Sequence, residues 1–395
     1  TMSILDSENG VYQWIYEAAT SVEDVTADHQ DDLTKYKASL PEGQSASDVT
    51  EGYVYELKLN PDMKWEDGTP INADTYIYSM KQLLNPDMQN YRANLYYDGE
   101  SAVAGGNTYY YSKTKSIMTP YSSDFASLDD AVAAGVDLYI DVWGFYGAEG
   151  YTDADGNEAP QYVSITDETV YGEAQNDAFS GKELWESYKA ELATPDYASN
   201  VAYEKANENY SENMDYDATV GCYKVDDYTI RYVCQAYLKK DYFLTSCTSN
   251  WLVYEDLYEA GKATIEAGKE ATGDLITTDY CTTKENTMSY GPYKIESLQD
   301  EKQIVFVQNE NWFGYEKQDN GSLISYTNFD VDGAPAQQYQ ATKIVIDVME
   351  DATAKQAFLK GELSEWTPTA DDLLTFSTSD RLYKVPETYT MSFFF

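Results

Sequence analysis

Histidine and basic residues are scarce in this chain of 395 residues. It has one histidine, His29, and 26 lysines and arginines against 69 aspartates and glutamates, so its formal net charge is −43. A polyanion of this size repels phosphate backbones, which argues against nucleic acid as a partner. The same charge disfavours anionic membrane surfaces. With 43% hydrophobic residues, the chain is expected to form a packed core.

The motifs of most catalytic sites are also missing. The sequence has no GxSxG nucleophile elbow, no HExxH metal motif and no GxxxxGK[ST] phosphate loop. We therefore interpret His29 as a surface residue and expect no enzyme activity, no metal and no cofactor. A glycoside hydrolase stays open as an alternative, because it needs only two carboxylates roughly 5–10 Å apart. Trp143, Phe145 and Tyr146 are candidates for stacking on sugar rings, with core packing as the alternative.

The four cysteines lack the CxxC spacing of zinc or redox sites. Cys222 and Cys234 are offset across the hairpin between them, so Cys247 and Cys281 are the pair considered for a disulfide, with free thiols as the alternative. No segment approaches the roughly 20 apolar residues of a membrane span. The first residues also lack the basic region of a signal peptide.

The clearest local signals lie between Tyr53 and Pro86. Residues 53–59 alternate between apolar and polar positions, which predicts a half-buried strand. Asp67-Gly68 predicts a tight turn. Asn72 occupies the N-cap position of a predicted helix that ends before Pro86.

Other segments show helical or strand patterns. Trp14, Ile15 and Ala18 share one helical face, which predicts helix in part of 11–36. A hairpin is predicted around Asp226-Asp227. Further predicted helices cover 127–134, 182–191, 251–269, 351–360 and 371–376, and strands are predicted across 289–350 and at 382–395.

Four segments carry a resemblance to a known family. They are Lys64-Trp65 with Asp67-Gly68-Thr69-Pro70 and Ala73-Asp74; Asp226-Asp227-Tyr228-Thr229; Gly291-Pro292-Tyr293 with Asn309-Glu310-Asn311-Trp312; and Gly361-Glu362-Leu363. In this order they resemble the family 5 extracellular solute-binding proteins, the peptide- and nickel-type receptors of bacterial ABC importers. Ser364 stands where that family usually has aspartate.

The resemblance implies an α/β fold of the periplasmic-binding-protein-like type II class, cluster C. Residues 1–244 would form an accessory domain with a long insertion rich in tyrosine and aspartate. Residues 245–380 would form part of ligand-binding lobe 1, and 381–395 a strand entering lobe 2, which is otherwise missing. We therefore expect this chain to be an internal portion of a longer receptor.

The resemblance also implies a function. The protein would be the extracellular substrate-binding component of an ABC importer, capturing oligopeptides for a membrane permease. An oligosaccharide-binding receptor of the same family is the alternative. We expect a monomer that is periplasmic, or held at the surface of a Gram-positive cell by an N-terminal lipid anchor that has been removed.

Four residues match positions that line the ligand cleft in the family. Tyr91 aligns with a tyrosine that contacts ligand in peptide-binding members. Trp366 and Thr367 follow the Gly361-Glu362 segment, and Tyr389 lies on the strand entering the second lobe. Each also has an alternative reading as ordinary packing.

Overall fold

The computed structural model describes residues 2–6, 11–113, 118–121, 128–136, 138–141, 161–165, 170–172, 186, 202–205, 214–247, 251–265, 275–331 and 333–383. Its strands are β1 (Met2–Asp6), β2 (Val11–Ile15), β3 (Ala19–Asp24), β4 (Val54–Leu59), β5 (Met118–Pro120), β6 (Leu138–Asp141), β7 (Gln161–Ser164), β8 (Val170–Gly172), β9 (Ala202–Lys205), β10 (Cys222–Asp226), β11 (Thr229–Val233), β12 (Lys262–Ile265), β13 (Leu275–Thr278), β14 (Tyr293–Gln299), β15 (Gln303–Gln308), β16 (Glu316–Lys317), β17 (Leu323–Val331), β18 (Ala334–Gln338) and β19 (Lys343–Asp347).

The described α-helices are α1 (Gln30–Lys35), α2 (Ala73–Leu83), α3 (Asn94–Tyr97), α4 (Gly106–Tyr110), α5 (Leu128–Ala133), α6 (Tyr216–Thr219), α7 (Lys240–Ser246), α8 (Glu255–Ala260), α9 (Asp351–Lys360) and α10 (Ala370–Phe376). Short 3-10 helices cover Thr26–Asp28, Ala46–Asp48 and Tyr91–Ala93. In this part of the chain, each helix is too short or too polar to cross a bilayer.

The main core lies on an antiparallel sheet with strand order β10-β11-β4-β3. Leu57 of β4 lies opposite Val22 on one side and Ile230 on the other. Tyr55, which is fully buried, stacks on Phe243 of α7 with the ring centroids 4.1 Å apart. The strand predicted over 53–59 is therefore confirmed as β4, although its burial does not alternate strictly, because Val54 is buried beside Tyr55. The hairpin around Asp226-Asp227 is confirmed as well.

Helix α2 packs on this sheet and begins where the sequence predicts. The Asn72 side chain accepts a hydrogen bond from the backbone N–H of Thr75 at 3.2 Å, which satisfies a donor that the helix itself leaves free. Met80 and Leu84 are fully buried on the side facing the core. The turn before the helix is also confirmed, with Gly68 at φ +90°.

A second antiparallel sheet has the order β14-β15-β19. Val305 in its central strand is buried, and Asn309 follows that strand with no exposed surface. Helix α9 comes after β19 and ends at Gly361 with φ +81°, as predicted. The predicted helices at 127–134 and 371–376 are confirmed as α5 and α10.

Two helix predictions hold only in part, because strand pairing overrides the local pattern elsewhere. Within 11–36 the described α-helix is α1 (Gln30–Lys35). Residues Trp14 and Ile15 lie in β2, which pairs with β1, and Ala18 precedes β3, which pairs with β4. The helix predicted over 251–269 covers only Glu255–Ala260. Lys262–Ile265 instead forms a strand opposite Leu275–Thr278, and the β-branched Thr264 and Ile265 favour that state.

The disulfide considered between Cys247 and Cys281 does not form, because all four cysteines are free thiols. Cys247 follows α7 and packs against the main core, whereas Cys281 lies in an exposed turn in which its backbone N–H donates to Asn286 O at 3.0 Å. Cys222 and Cys234 are both buried.

Some predictions fall on residues that the structure does not describe. Tyr389, Trp143, Phe145 and Tyr146 lie outside the described residues, as does nearly all of the helix predicted over 182–191. The division into an accessory domain and parts of two lobes stays a prediction.

Candidate functional site

Tyr91 is an exposed site candidate, with 74% of its surface open to solvent. It begins the short 3-10 helix Tyr91–Ala93, which Asn90 caps by accepting a hydrogen bond from Arg92 N at 3.0 Å. The Arg92 guanidinium lies 5.5 Å from the centre of the Tyr91 ring. This arrangement presents an apolar ring face, a hydroxyl and guanidinium donors on one surface.

Trp366 lies in the connection between α9 and α10. Its ring is half-buried and contacts Phe358 at 5.9 Å and Phe376 at 5.7 Å between centroids. The ammonium of Lys355 is 6.0 Å from the ring centre. Packing therefore accounts for much of the Trp366 surface, while Thr367 beside it is exposed.

The structure thus places the described candidates for ligand binding in two separate parts of the chain. Trp366 and Thr367 share the connection between α9 and α10, whereas Tyr91 contacts Arg92 beside α3. Their role in ligand binding stays a prediction, as does that of Tyr389.

Two of the four segments that carry the family resemblance, those around Trp65 and around Gly291 to Asn311, meet at a junction between the two sheets. The indole of Trp65 is buried between the rings of Tyr254 and Tyr290, with centroid distances of 5.4 and 5.1 Å. The amide of Asn311 donates to the Glu66 carbonyl oxygen at 2.8 Å. These contacts fix the turn before α2 against the loop after β15.

A cavity of about 310 Å³ opens beside this junction, and we call it the junction cavity. Its floor is the apolar face of the main sheet, including Val22 and Leu57. Aromatic side chains supply much of the wall: Tyr76, Tyr96, Trp251, Tyr290, Trp312 and Tyr339. Sequence reasoning missed this site, because its lining comes from segments far apart in the chain.

The polar groups around the junction cavity are nearly all neutral. Burial raises the pKa of Tyr290 to about 12 and that of Cys247 to about 11, so both stay protonated at neutral pH. Burial also raises the pKa of Tyr76. Among the described lining residues, Glu17 alone belongs to a type that is charged at neutral pH.

Several described carboxyl groups are held in their ionised form. Hydrogen bonds lower the pKa of Asp48, Asp226, Glu310 and Asp372. A glycosidase instead needs a general acid whose pKa is raised. These four groups therefore do not suit the acid role of the hydrolase alternative.

The comparison with protein families identifies the chain. A model of the bacterial extracellular solute-binding proteins, family 5 (middle region), matches residues 41–143 and 185–395. The chain belongs to this family. The resemblance in the four sequence segments is confirmed, and with it the α/β, periplasmic-binding-protein-like type II fold class. Family 5 proteins bind solutes outside the cytoplasm and are not enzymes as a class.

Several solved structures are similar to this family 5 chain over most of its length. OppA of Listeria monocytogenes, solved bound to peptide, is 13% identical with a TM-score of 0.43, covering 96% of this chain and 42% of the Listeria chain. OppA of Burkholderia pseudomallei is 12% identical with a TM-score of 0.41, covering 95% and 41%. NikZ of Campylobacter jejuni, in complex with Ni(L-His), is 11% identical with a TM-score of 0.37, covering 96% and 39%.

The family 5 chain spans about two fifths of the length of the solved proteins that it matches. The comparison with curated proteins found no match.

Proposed function

We propose that the chain is part of the substrate-binding component of an ABC importer, and that this component captures short peptides and delivers them to a membrane permease. The observation that carries the proposal is the family match, which extends over most of the chain. Two lobes that close on a ligand are a common way for such proteins to trap it.

The surface around Tyr91 supports a peptide as the proposed ligand class. An exposed ring suits an apolar side chain, and the Arg92 guanidinium beside it supplies donors for main-chain carbonyl oxygens. Tyrosine, with 39 copies in the chain, combines an apolar face with a polar hydroxyl and suits an adaptable binding surface.

An oligosaccharide is the second candidate ligand, and the same observation favours it. The open face of Tyr91 is a platform on which a sugar ring could stack, and its hydroxyl and Arg92 would bind sugar hydroxyls. Binding measurements therefore have to include both ligand classes.

The remaining features of the proposal follow from the importer role. The protein would work outside the cell or in the periplasm as a monomer, would need no cofactor, and would release its ligand unchanged. A lipid on the N-terminus of the mature receptor would hold it at the membrane in a Gram-positive cell.

Calorimetric titration of the purified protein against pooled short peptides, and separately against pooled oligosaccharides, tests the proposal. Native mass spectrometry of the same preparation would identify any ligand that co-purifies. We expect saturable binding of peptides and recovery of intact peptide afterwards. Binding of sugars with no response to peptides would favour the oligosaccharide receptor, and cleavage of aryl glycosides would contradict a transport role.

A further inference from the structure

The junction cavity is large enough for a small molecule. An apolar cavity of roughly 150 Å³ in another protein accepts benzene, and the junction cavity measures about 310 Å³. It therefore has room for a two-ring aromatic molecule with a short side chain. Ligand pockets of small molecules begin at about this size.

The walls of the cavity present aromatic edges and faces at large angles to each other. Trp251 meets Tyr76 at 87° with centroids 5.6 Å apart, and it meets Tyr96 at 64° with centroids 6.1 Å apart. Trp312 meets Tyr339 at 87° and 5.2 Å. Such edge-to-face geometry also suits a further planar ring placed among them.

The lining of the cavity includes one residue of a type that is charged at neutral pH. Glu17 is half-buried and makes no ion pair with any residue that the structure describes. Tyr339 lines the same cavity, and its hydroxyl has a raised pKa, first through burial and then through the negative charge of Glu17. A carboxylate that makes no ion pair, in a cavity lined by aromatic rings, favours a cation at that place.

We propose that the junction cavity binds a small aromatic amine, with its ring among Trp251, Tyr76 and Trp312 and its ammonium at Glu17. The aromatic side chains of the wall would favour a ligand with a planar ring, and the Glu17 carboxylate would favour a ligand with a positive charge. The site is separate from the predicted ligand residues Tyr91, Trp366 and Thr367, which do not line this cavity.

The proposal stands apart from the proposed peptide import. It depends on the shape and charge of a cavity between the two sheets, whereas peptide capture depends on family membership. A protein that binds peptides but no aromatic amine would overturn only the present proposal. One that binds the amine but no peptide would leave the cavity site intact.

Tryptamine is the probe, and calorimetry on the purified chain is the measurement. Three molecules of matched size or charge serve as comparisons: 3-ethylindole has the ring without charge, indole-3-propionate has the opposite charge, and propylamine has the charge without a ring. Propylamine is needed because the net charge of −43 attracts any cation weakly. We expect saturable binding of tryptamine at physiological salt, at least tenfold weaker binding of 3-ethylindole, and no saturable binding of the other two.

Substitutions locate the site. Glu17→Gln should weaken tryptamine binding about tenfold and leave the binding of 3-ethylindole unchanged, because only the ion pair is lost. Glu42→Gln, in an exposed loop away from the cavity, is the matched control and should leave both unchanged. Ser246→Trp fills the cavity from its half-buried edge and should abolish binding of both indoles.

Val22→Phe fills the cavity from its floor and should also abolish binding of both indoles. The same loss in Ser246→Trp and Val22→Phe would show that it comes from filling the cavity and not from misfolding of one variant. Each variant is first checked for an unchanged far-UV circular dichroism spectrum. Absence of saturable tryptamine binding to the unsubstituted protein would overturn the proposal. Equal binding of 3-ethylindole and tryptamine, or equal effects of Glu17→Gln and Glu42→Gln, would overturn it as well.

Discussion

The backbone N–H of Glu66 donates to the carbonyl oxygen of Ser289 at 2.8 Å, and the Glu66 carboxylate accepts a hydrogen bond from Ser289 N at 3.1 Å. The two residues are 223 positions apart in the chain. They join the turn before α2 to the strand region that begins at β14. Glu66 lies between the motif residues Trp65 and Asp67, so the segment that carries the family resemblance also holds the main sheet against the second sheet.

Asn309 is buried at the centre of this junction, and replacing it should lower the free energy of unfolding. Its amide donates to Gly291 O at 2.9 Å, and its side-chain oxygen accepts from Asn311 N at 3.1 Å. Asn309→Ala would leave two half-buried backbone groups without partners, which costs on the order of 1 kcal/mol of unfolding free energy. Urea unfolding measures this loss. Asn320→Ala, at an exposed turn, should cost clearly less, and equal losses would contradict the assignment.

Acid should destabilise the α9–α10 unit through Asp372. Hydrogen bonds from the Lys355 ammonium first, and then from Thr369, lower the pKa of this carboxyl in the folded protein. A lowered folded pKa means that the stabilisation is complete above the unfolded value of about 3.9. It is lost as the pH falls from there through the folded pKa.

Thermal unfolding midpoints measured between about pH 2 and pH 6 test this linkage. Asp372→Asn should lower the midpoint at the upper end of this range and flatten its dependence on pH. Asp371→Asn changes the exposed neighbour and should keep the dependence of the unsubstituted protein. An unchanged acid profile in Asp372→Asn would disprove the linkage.

The four thiols should react in a fixed order. Cys281 is exposed and should be modified first by a thiol reagent, whereas Cys222 and Cys234 are buried and should react only after unfolding. Burial raises the pKa of Cys281 above its usual value, so its labelling should accelerate as the pH rises towards 9. Four thiols should react in denaturant without reductant. If only two thiols react in denaturant and four react after reduction, the protein contains a disulfide, which would support the Cys247–Cys281 bridge.

The sequence predicts those elements whose signal lies within a few residues. The Asn72 cap, the Gly361 helix end and the Asp226-Asp227 hairpin are each decided by local hydrogen bonds and backbone angles, and each is confirmed. The family motifs predict the fold class for a different reason, since they match a known pattern.

Contacts between distant segments escape this reasoning. Residues 11–15 and 19–24 form strands because they pair with β1 and β4, although the spacing of Trp14, Ile15 and Ala18 suits a helix. The junction cavity was not predicted either, because Glu17, Trp251 and Trp312 become neighbours only when the two sheets meet. No spacing rule links positions so far apart.

Gly105 should be intolerant of any side chain. It adopts φ +75°, and a Cβ there would lie 1.9 Å from the carbonyl oxygen of Thr219. Gly105→Ala adds this backbone clash to the roughly 1–2 kcal/mol that a left-handed conformation costs an L-residue. Gly43→Ala has a similar φ of +77° with open space around it, so only the conformational cost applies. Equal unfolding free energies for the two variants would contradict the close approach.

Substitutions at Tyr91 and Trp366 should distinguish a residue that contacts the ligand from one that stabilises the fold. Tyr91 is 74% exposed, so Tyr91→Ala should leave the unfolding free energy within about 0.5 kcal/mol, as surface substitutions do. If Tyr91 contacts the ligand, the same variant should weaken peptide binding about tenfold or more, since aromatic anchors dominate interfaces. Tyr91→Phe keeps the ring and should retain most of the affinity.

Trp366→Ala should behave in the opposite way. Its ring packs between Phe358 and Phe376, so its loss should lower the unfolding free energy by about 1–3 kcal/mol even without ligand. Because destabilisation alone can reduce the folded fraction, affinity has to be measured on protein shown to be folded. Trp366→Phe retains an aromatic ring and is the matched control. Loss of affinity in Trp366→Ala at an unchanged unfolding free energy would show that the indole serves the ligand and not the helices.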